Sequence, residues 1–171
     1  MLGPVVALTA AAGCTGDDGE TAAGPDETRV AADATGRSVA DVEVARADGS
    51  SFRLGDYAGR PLVVNFYARW CAPCQRELPA VQAVHAEVGD EVAFLGIAEP
   101  PNLRDTRAMA EEMGLAYDLA EDPDGTALAA VEGLGLPITV FVRPDSTVAE
   151  LHPGELDQQE LRDLVREHLG R

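Results

Sequence analysis

Trp70-Cys71-Ala72-Pro73-Cys74 decides the fold. Leu62-Val63-Val64-Asn65-Phe66-Tyr67 runs ahead of it, with apolar residues at both odd and even positions. Such a run reads as a strand buried on both faces of a parallel or mixed sheet. Behind it Leu78, Val81, Val84 and Val88 recur at helical spacing. The two cysteines therefore stand where a buried strand gives way to an amphipathic helix.

That position has chemical consequences. Thiolate is the nucleophile, and a free cysteine titrates near about 8.5. The unpaired N–H groups and the dipole of a helix N-terminus favour negative charge. Cys71 should be the exposed, acidified thiol. Cys74, one turn in, can attack a mixed disulfide formed at Cys71. Pro73 is tolerated in the first helical turn and stiffens the loop. Two cysteines at this spacing also suit half a zinc site, but only Cys14, His85, His152 and His168 remain as nitrogen or sulfur ligands, with no second pair. A purely structural disulfide in so short a loop constrains the unfolded chain little. Redox activity is the expectation, with no metal and no cofactor beyond the dithiol.

These residues resemble a known family. Trp-Cys-x-Pro-Cys after an apolar strand is similar to the thioredoxin superfamily. Phe52 to Pro61, Val63 to Phe66 and Cys74-Gln75-Arg76-Glu77-Leu78-Pro79 resemble its TlpA/ResA-type branch more narrowly. The resemblance covers about residues 38–171. It implies an α/β thioredoxin-like fold, a mixed central sheet flanked by helices, with an N-terminal β-hairpin. It implies a membrane-anchored, extracytoplasmic thiol-disulfide oxidoreductase reset by a membrane thiol donor. A frequent task in that branch is reduction of apocytochrome c before haem attachment.

The resemblance also assigns residues. Thioredoxins carry a buried Asp where this chain has Asn65, which cannot do acid-base work. The branch places a Glu three residues after the second cysteine, and Glu77 stands there. Cys74 and Glu77 share a helix face, and a buried carboxylate beside a thiol can accept its proton. The alternative is an ordinary surface Glu. Glu99 matches a Glu near the site in the branch, or is a loop residue beside Pro100-Pro101. Pro137 heads the strand Ile138 to Val142. The resemblance makes it cis and facing the dithiol, and Leu136 then offers its backbone to an extended substrate. Trp70 covers one side of the dithiol and helps bind substrate. Pro79 matches the proline of thioredoxin-like helices.

Composition bounds the rest. The chain has 171 residues and a formal net charge of −17. That length fits one domain plus a tail. All 13 basic residues are arginine. Nothing forms a basic stripe, so nucleic acid is an unsuitable partner. An anionic membrane surface should repel the domain, so attachment must go through the N-terminus. Residues 1–14 form an apolar signal-like segment, too few to span a bilayer, which takes about 20. Ala11-Ala12-Gly13-Cys14 resembles a bacterial lipobox, with Cys14 as the lipidated residue and a secreted soluble form as the alternative. It departs from the pattern at Ala11 and in having no Lys or Arg ahead of Cys14. Residues 15–37 are small, acidic and nearly free of large apolar side chains, which reads as a flexible tether. Residues 38–171 are the thioredoxin-like domain, expected as a monomer acting on protein substrates.

Further elements follow from pattern. Val42 and Val44, then Phe52-Arg53-Leu54, read as two short strands around Asp48-Gly49. Val92 to Ile97 reads as a strand, Leu103 to Met113 as a helix with Met109 and Met113 inward. A short helix is expected after Asp122-Pro123-Asp124-Gly125. Strand 138–142 turns at Arg143 to Ser146 into strand 147–151. Asp157 with Glu160 resembles a capping box for the last helix. Other functions stay open: a disulfide-forming oxidase of the same fold, a peroxidase, or a binding scaffold. Peroxiredoxins have Thr-x-x-Cys, where this chain has Ala68-Arg69-Trp70-Cys71.

Overall fold

The computed structural model describes residues 1, 3 and 34–170. The run at 62–67 is β3 (Leu62–Tyr67), and all of it is buried. Alternate side chains leave a strand on opposite faces. Val64 and Phe66 enter one core with Leu95, Ile97, Val140 and Val131. Val63 enters the other with Val81, Val84, Phe94, Phe141 and Leu161. A strand buried twice over needs helices on both faces, and the chain supplies them.

The order is β1 (Glu43–Ala45), β2 (Ser51–Arg53), β3, α1 (Ala72–Val88), β4 (Ala93–Ala98) and α2 (Leu103–Glu112). Then come β5 (Asp118–Glu121), α3 (Thr126–Ala130), β6 (Ile138–Val142), β7 (Val148–Pro153) and α4 (Gln158–Leu169). The seven strands lie in the order β2-β1-β5-β4-β3-β6-β7. β3, β4 and β5 run parallel, while β6, β7, β1 and β2 pair antiparallel. This is the α/β, thioredoxin-like mixed sheet with the expected N-terminal hairpin.

The register positions the site. Parallel strands end at one edge, so Tyr67, Ala98 and Glu121 finish together. β6 runs the other way and pairs Ile138 with Phe66. The residues just before β6 therefore return to the edge where β3 ends. Pro153 pairs with Ile138 and brings Gly154 to Leu156 to the same edge. Five connections thus converge on the start of α1.

The last helix has the expected capping box: Asp157 accepts from the N–H of Gln159 and Glu160, and Glu160 accepts from the Asp157 N–H. Met109 is buried and Met113 packs against the same cluster. Three expectations shift. Leu54 leaves β2 and opens a 3-10 turn, Leu54–Tyr57, because its side chain is needed in the core. β5 had no sequence signal; Asp118-Leu119-Ala120-Glu121 is short and flanked by acids, and is a strand because β4 and β1 offer it partners. Ala34, inside the stretch 15–37 expected as a tether, is packed in the core. Ala34 is buried, the Gly36 N–H donates to the Val148 carbonyl, and Arg37 pairs with Glu132. No helix among the described residues is long and apolar enough to cross a membrane.

Candidate active site

Cys71 is the residue capping α1 and Pro73 sits in its first turn. The Cys71 Sγ accepts a hydrogen bond from the Cys74 N–H at 3.2 Å. A thiolate at that sulfur would meet a backbone donor and the positive end of the helix dipole. Cys71 and Cys74 are joined as a disulfide. Cys71, expected to be exposed, is buried at 4 % exposure, because Tyr67, Ala98 and Met109 close over it; Cys74 is at 0 %, so Cys71 is the more accessible sulfur of the two. Tyr67, Ala68, Leu78, Ala98 and Met109 pack around the pair, and Leu136 lies against the same cluster.

One helical turn past Cys74, Glu77 is 1 % exposed. Its Oε2 accepts from Asn65 Nδ2 at 2.9 Å. Its Oε1 accepts from the Leu156 N–H at 3.1 Å and from the Thr139 hydroxyl at 3.5 Å. Asn65 Nδ2 also donates to Thr139 Oγ1 at 3.0 Å. Burial outweighs those hydrogen bonds and pushes the Glu77 carboxyl up to about 7. An acid poised there can take and return a proton near neutral pH. Thr139 and the Leu156 N–H were missed by sequence reasoning. The inward phase of β6 was a usable signal for Thr139, a lone hydroxyl in an apolar strand; the backbone donor had none.

Pro137 is buried, and the Leu136–Pro137 peptide is cis. The Pro137 carbonyl accepts from the Gly154 N–H at 2.9 Å. Leu136 is half-buried over the dithiol cluster, and the neighbouring Leu134 is 72 % exposed. Trp70 is 58 % exposed and its indole N–H donates to the Pro100 carbonyl at 3.1 Å. Trp70, next to Cys71 in the chain, and Leu136, packed on the cysteine cluster, thus border the dithiol. The Pro100–Pro101 peptide is cis as well, which no sequence pattern announced.

Glu99 is buried rather than a solvated loop residue, and its N–H donates to the Tyr67 carbonyl at 2.9 Å. Burial first, and then Asp122, push its carboxyl up to about 8. Cys14 lies outside the described residues. Among the described residues no three His, Cys, Asp or Glu side chains gather as a metal site. His85 is sandwiched between Phe94 and Tyr117, and His168 lies against Phe141.

The AhpC/TSA family model matches residues 35–151. The thiol-disulfide oxidoreductase ResA of Geobacillus thermodenitrificans is 27% identical over 139 residues, covering 79% of this chain and 78% of that protein. The structure of MTB dsbF, in its mixed oxidized and reduced forms, aligns with a TM-score of 0.70 and 28% identity over 78% of this chain and 98% of that one. A secreted Mycobacterium tuberculosis disulfide oxidoreductase, homologous to E. coli DsbE, aligns with a TM-score of 0.66 and 27% identity, covering 73% and 94%.

Proposed function

This chain belongs to the AhpC/TSA family as a thiol-disulfide oxidoreductase, and from that premise we propose that it reduces disulfides in proteins outside the cytoplasm. The observation that carries the reading is the buried Glu77 one turn from Cys74, held near about 7 behind an N-terminal Cys71.

In the reduced enzyme the Cys71 thiolate attacks one sulfur of a substrate disulfide. That S–S bond breaks, a Cys71–substrate disulfide forms, and the other substrate sulfur leaves as thiolate. Glu77 takes the proton of Cys74. The Cys74 thiolate attacks Cys71 Sγ, releases the second substrate sulfur and closes the Cys71–Cys74 disulfide. Two electrons pass to the substrate and the two sulfurs leave as thiols. A thiol donor at the membrane then returns two electrons. Trp70 and Leu136 give an extended segment an apolar seat, and strand-like pairing at Leu136 would align it.

The secreted relative supports an extracytoplasmic site of action, and the lipobox-like Ala11 to Cys14 supports attachment by lipid at Cys14. Apocytochrome c cysteines, the substrate tied to the TlpA/ResA resemblance, are the first to test. A peroxidase reading is disfavoured by Ala68, which stands where peroxiredoxins carry Thr. The test is Cys74→Ser. It should accumulate mixed disulfides between Cys71 and extracytoplasmic proteins, identifiable by mass spectrometry. Absence of any adduct, with wild-type protein inert toward insulin disulfides, would end the reading.

A further inference from the structure

Two more carboxyl groups are buried at the dithiol edge, and the exchange chemistry uses neither. Glu99 follows β4 and is 4 % exposed; Asp122 follows β5 and is 2 % exposed. Ala98 and Glu121 are paired in parallel register, which sets the next residues side by side. The Asp122 N–H donates to the Ala98 carbonyl at 3.0 Å. The Glu99 and Asp122 carboxyl groups are thus buried neighbours, and Asp122 is, after burial itself, what pushes the Glu99 carboxyl upward. Two buried carboxyl groups set side by side cannot both ionise cheaply, and one of them keeps a proton.

The remaining partners say which group carries it. Asp122 Oδ2 accepts from the Leu128 N–H at 2.9 Å, and Oδ1 lies 3.4 Å from the Thr126 hydroxyl. Glu99 Oε1 has no partner among the described residues. Asp122 therefore has the donors and Glu99 lacks them, which makes Glu99 the proton carrier. Among the described residues neither carboxyl has a cationic hydrogen-bond or ion-pair partner. From β5, Glu121 is bonded to Arg107 of α2; from β3, the Tyr67 carbonyl accepts from the Glu99 N–H, and burial first, then Glu121, push the Tyr67 hydroxyl upward so that it stays neutral. Arg69, Arg104, Asp105 and Asp124 are exposed.

The pair is tied to the rim. Pro100 follows Glu99, and its carbonyl holds the Trp70 indole beside Cys71. We propose that Glu99 and Asp122 form a proton-sharing clasp that fixes the turn between β4 and α2, making Asp122 a positioning residue for Trp70. Loss of the shared proton to solvent leaves two buried carboxylates facing each other. The clasp then opens and frees Trp70; reprotonation closes it. The consequence for substrate rests on Trp70 bordering the dithiol, as in the proposed function, whereas the clasp does not.

Trp70 is the only tryptophan, so its fluorescence reads the turn directly. The oxidised full-length protein is titrated from about pH 6 to about 9.5, where the disulfide-bonded cysteines do not ionise and tyrosines stay largely protonated. One transition near pH 8 is expected in wild type, and unchanged in Glu77→Gln. Glu99→Gln and Asp122→Asn keep a hydrogen bond without a labile proton, and should hold the low-pH signal throughout. Asp122→Ala should hold the high-pH signal and raise KM for a protein disulfide severalfold, with kcat within about twofold. A flat wild-type titration, or a transition that survives in Glu99→Gln or Asp122→Asn, overturns the clasp. Wild-type protein inert toward insulin disulfides would instead strike the proposed function and leave the fluorescence test standing.

Discussion

Asn65 Nδ2 donates to Glu77 Oε2 at 2.9 Å, joining two buried side chains from β3 and α1. Thioredoxins place an acid on the strand; here the strand carries an amide and the acid has moved to the helix. The amide can donate to the carboxylate but cannot compete for its proton. A single buried group then titrates beside Cys74, with Thr139 and the Leu156 N–H fixing its orientation.

Glu77→Gln keeps the shape and removes the proton acceptor. Resolution of the mixed disulfide should slow by about 10²-fold, within the usual range for a lost general base. Its pH dependence should lose the inflection near 7. Stopped-flow release of a substrate thiol from a preformed Cys71 adduct measures both. An unchanged rate and profile would remove Glu77 from the mechanism.

Asn65→Asp places a second carboxyl within hydrogen-bond distance of the first. Two such groups cannot both ionise cheaply and titrate as a pair. The inflection of the resolving step should split, with one arm displaced to higher pH. The same stopped-flow profile decides it; a single inflection still near 7 would mean the strand position is electrostatically remote from Glu77.

Stability should fall between pH 5 and 8. Glu77 rises from 4.5 to about 7 on folding, so the folded protein binds the proton more tightly. Its contribution is complete below pH 4.5 and is lost as pH climbs through about 7, a change on the order of 3 kcal/mol. Glu99 acts in the same direction with its end near 8. Asp48, Glu87 and Asp145 are lowered and exposed, so their effects lie at more acid pH. Urea midpoints at pH 5 and 8 test this. Glu77→Gln should flatten the slope; an equal slope in the variant would refute it.

Gly96 on β4 has no room for a side chain. A Cβ there would lie 3.0 Å from the Tyr117 ring and 3.1 Å from both Leu119 Cδ2 and the Tyr67 ring. Gly96→Val should destabilise the fold by about 1–3 kcal/mol through overpacking. Thermal melts check it, and a melting temperature at or above wild type would show that the rings yield freely.

Much of the fold was legible because its strongest signals are local. β3 is an unbroken apolar run and α1 a long periodic segment, and the cysteines sit at their junction. α4 announced itself by Asp157 and Glu160. β5 was not legible: four residues with an acid at each end become a strand only through neighbours distant in sequence. The site divides in the same way. Cys71 and Cys74 were readable from position, and Glu77, Leu136 and Pro137 from the family resemblance. Thr139 left a signal, a lone hydroxyl in an apolar strand, that went unused; the Leu156 N–H and the role of Asp122 left none, since the register of β7 and β5 brings them to the edge. Cys14 and most of the expected tether, 15–33, fall outside the described residues.

The reduction potential of the Cys71–Cys74 pair, by equilibration with glutathione or dithiothreitol, bears on everything above. A buried carboxylate near Cys74 disfavours a thiolate there and so disfavours the reduced form. A potential near that of thioredoxin, about −270 mV, is expected of a protein disulfide reductase. A potential near about −120 mV, that of a strong disulfide donor, would contradict it and make the chain an oxidase of the same fold.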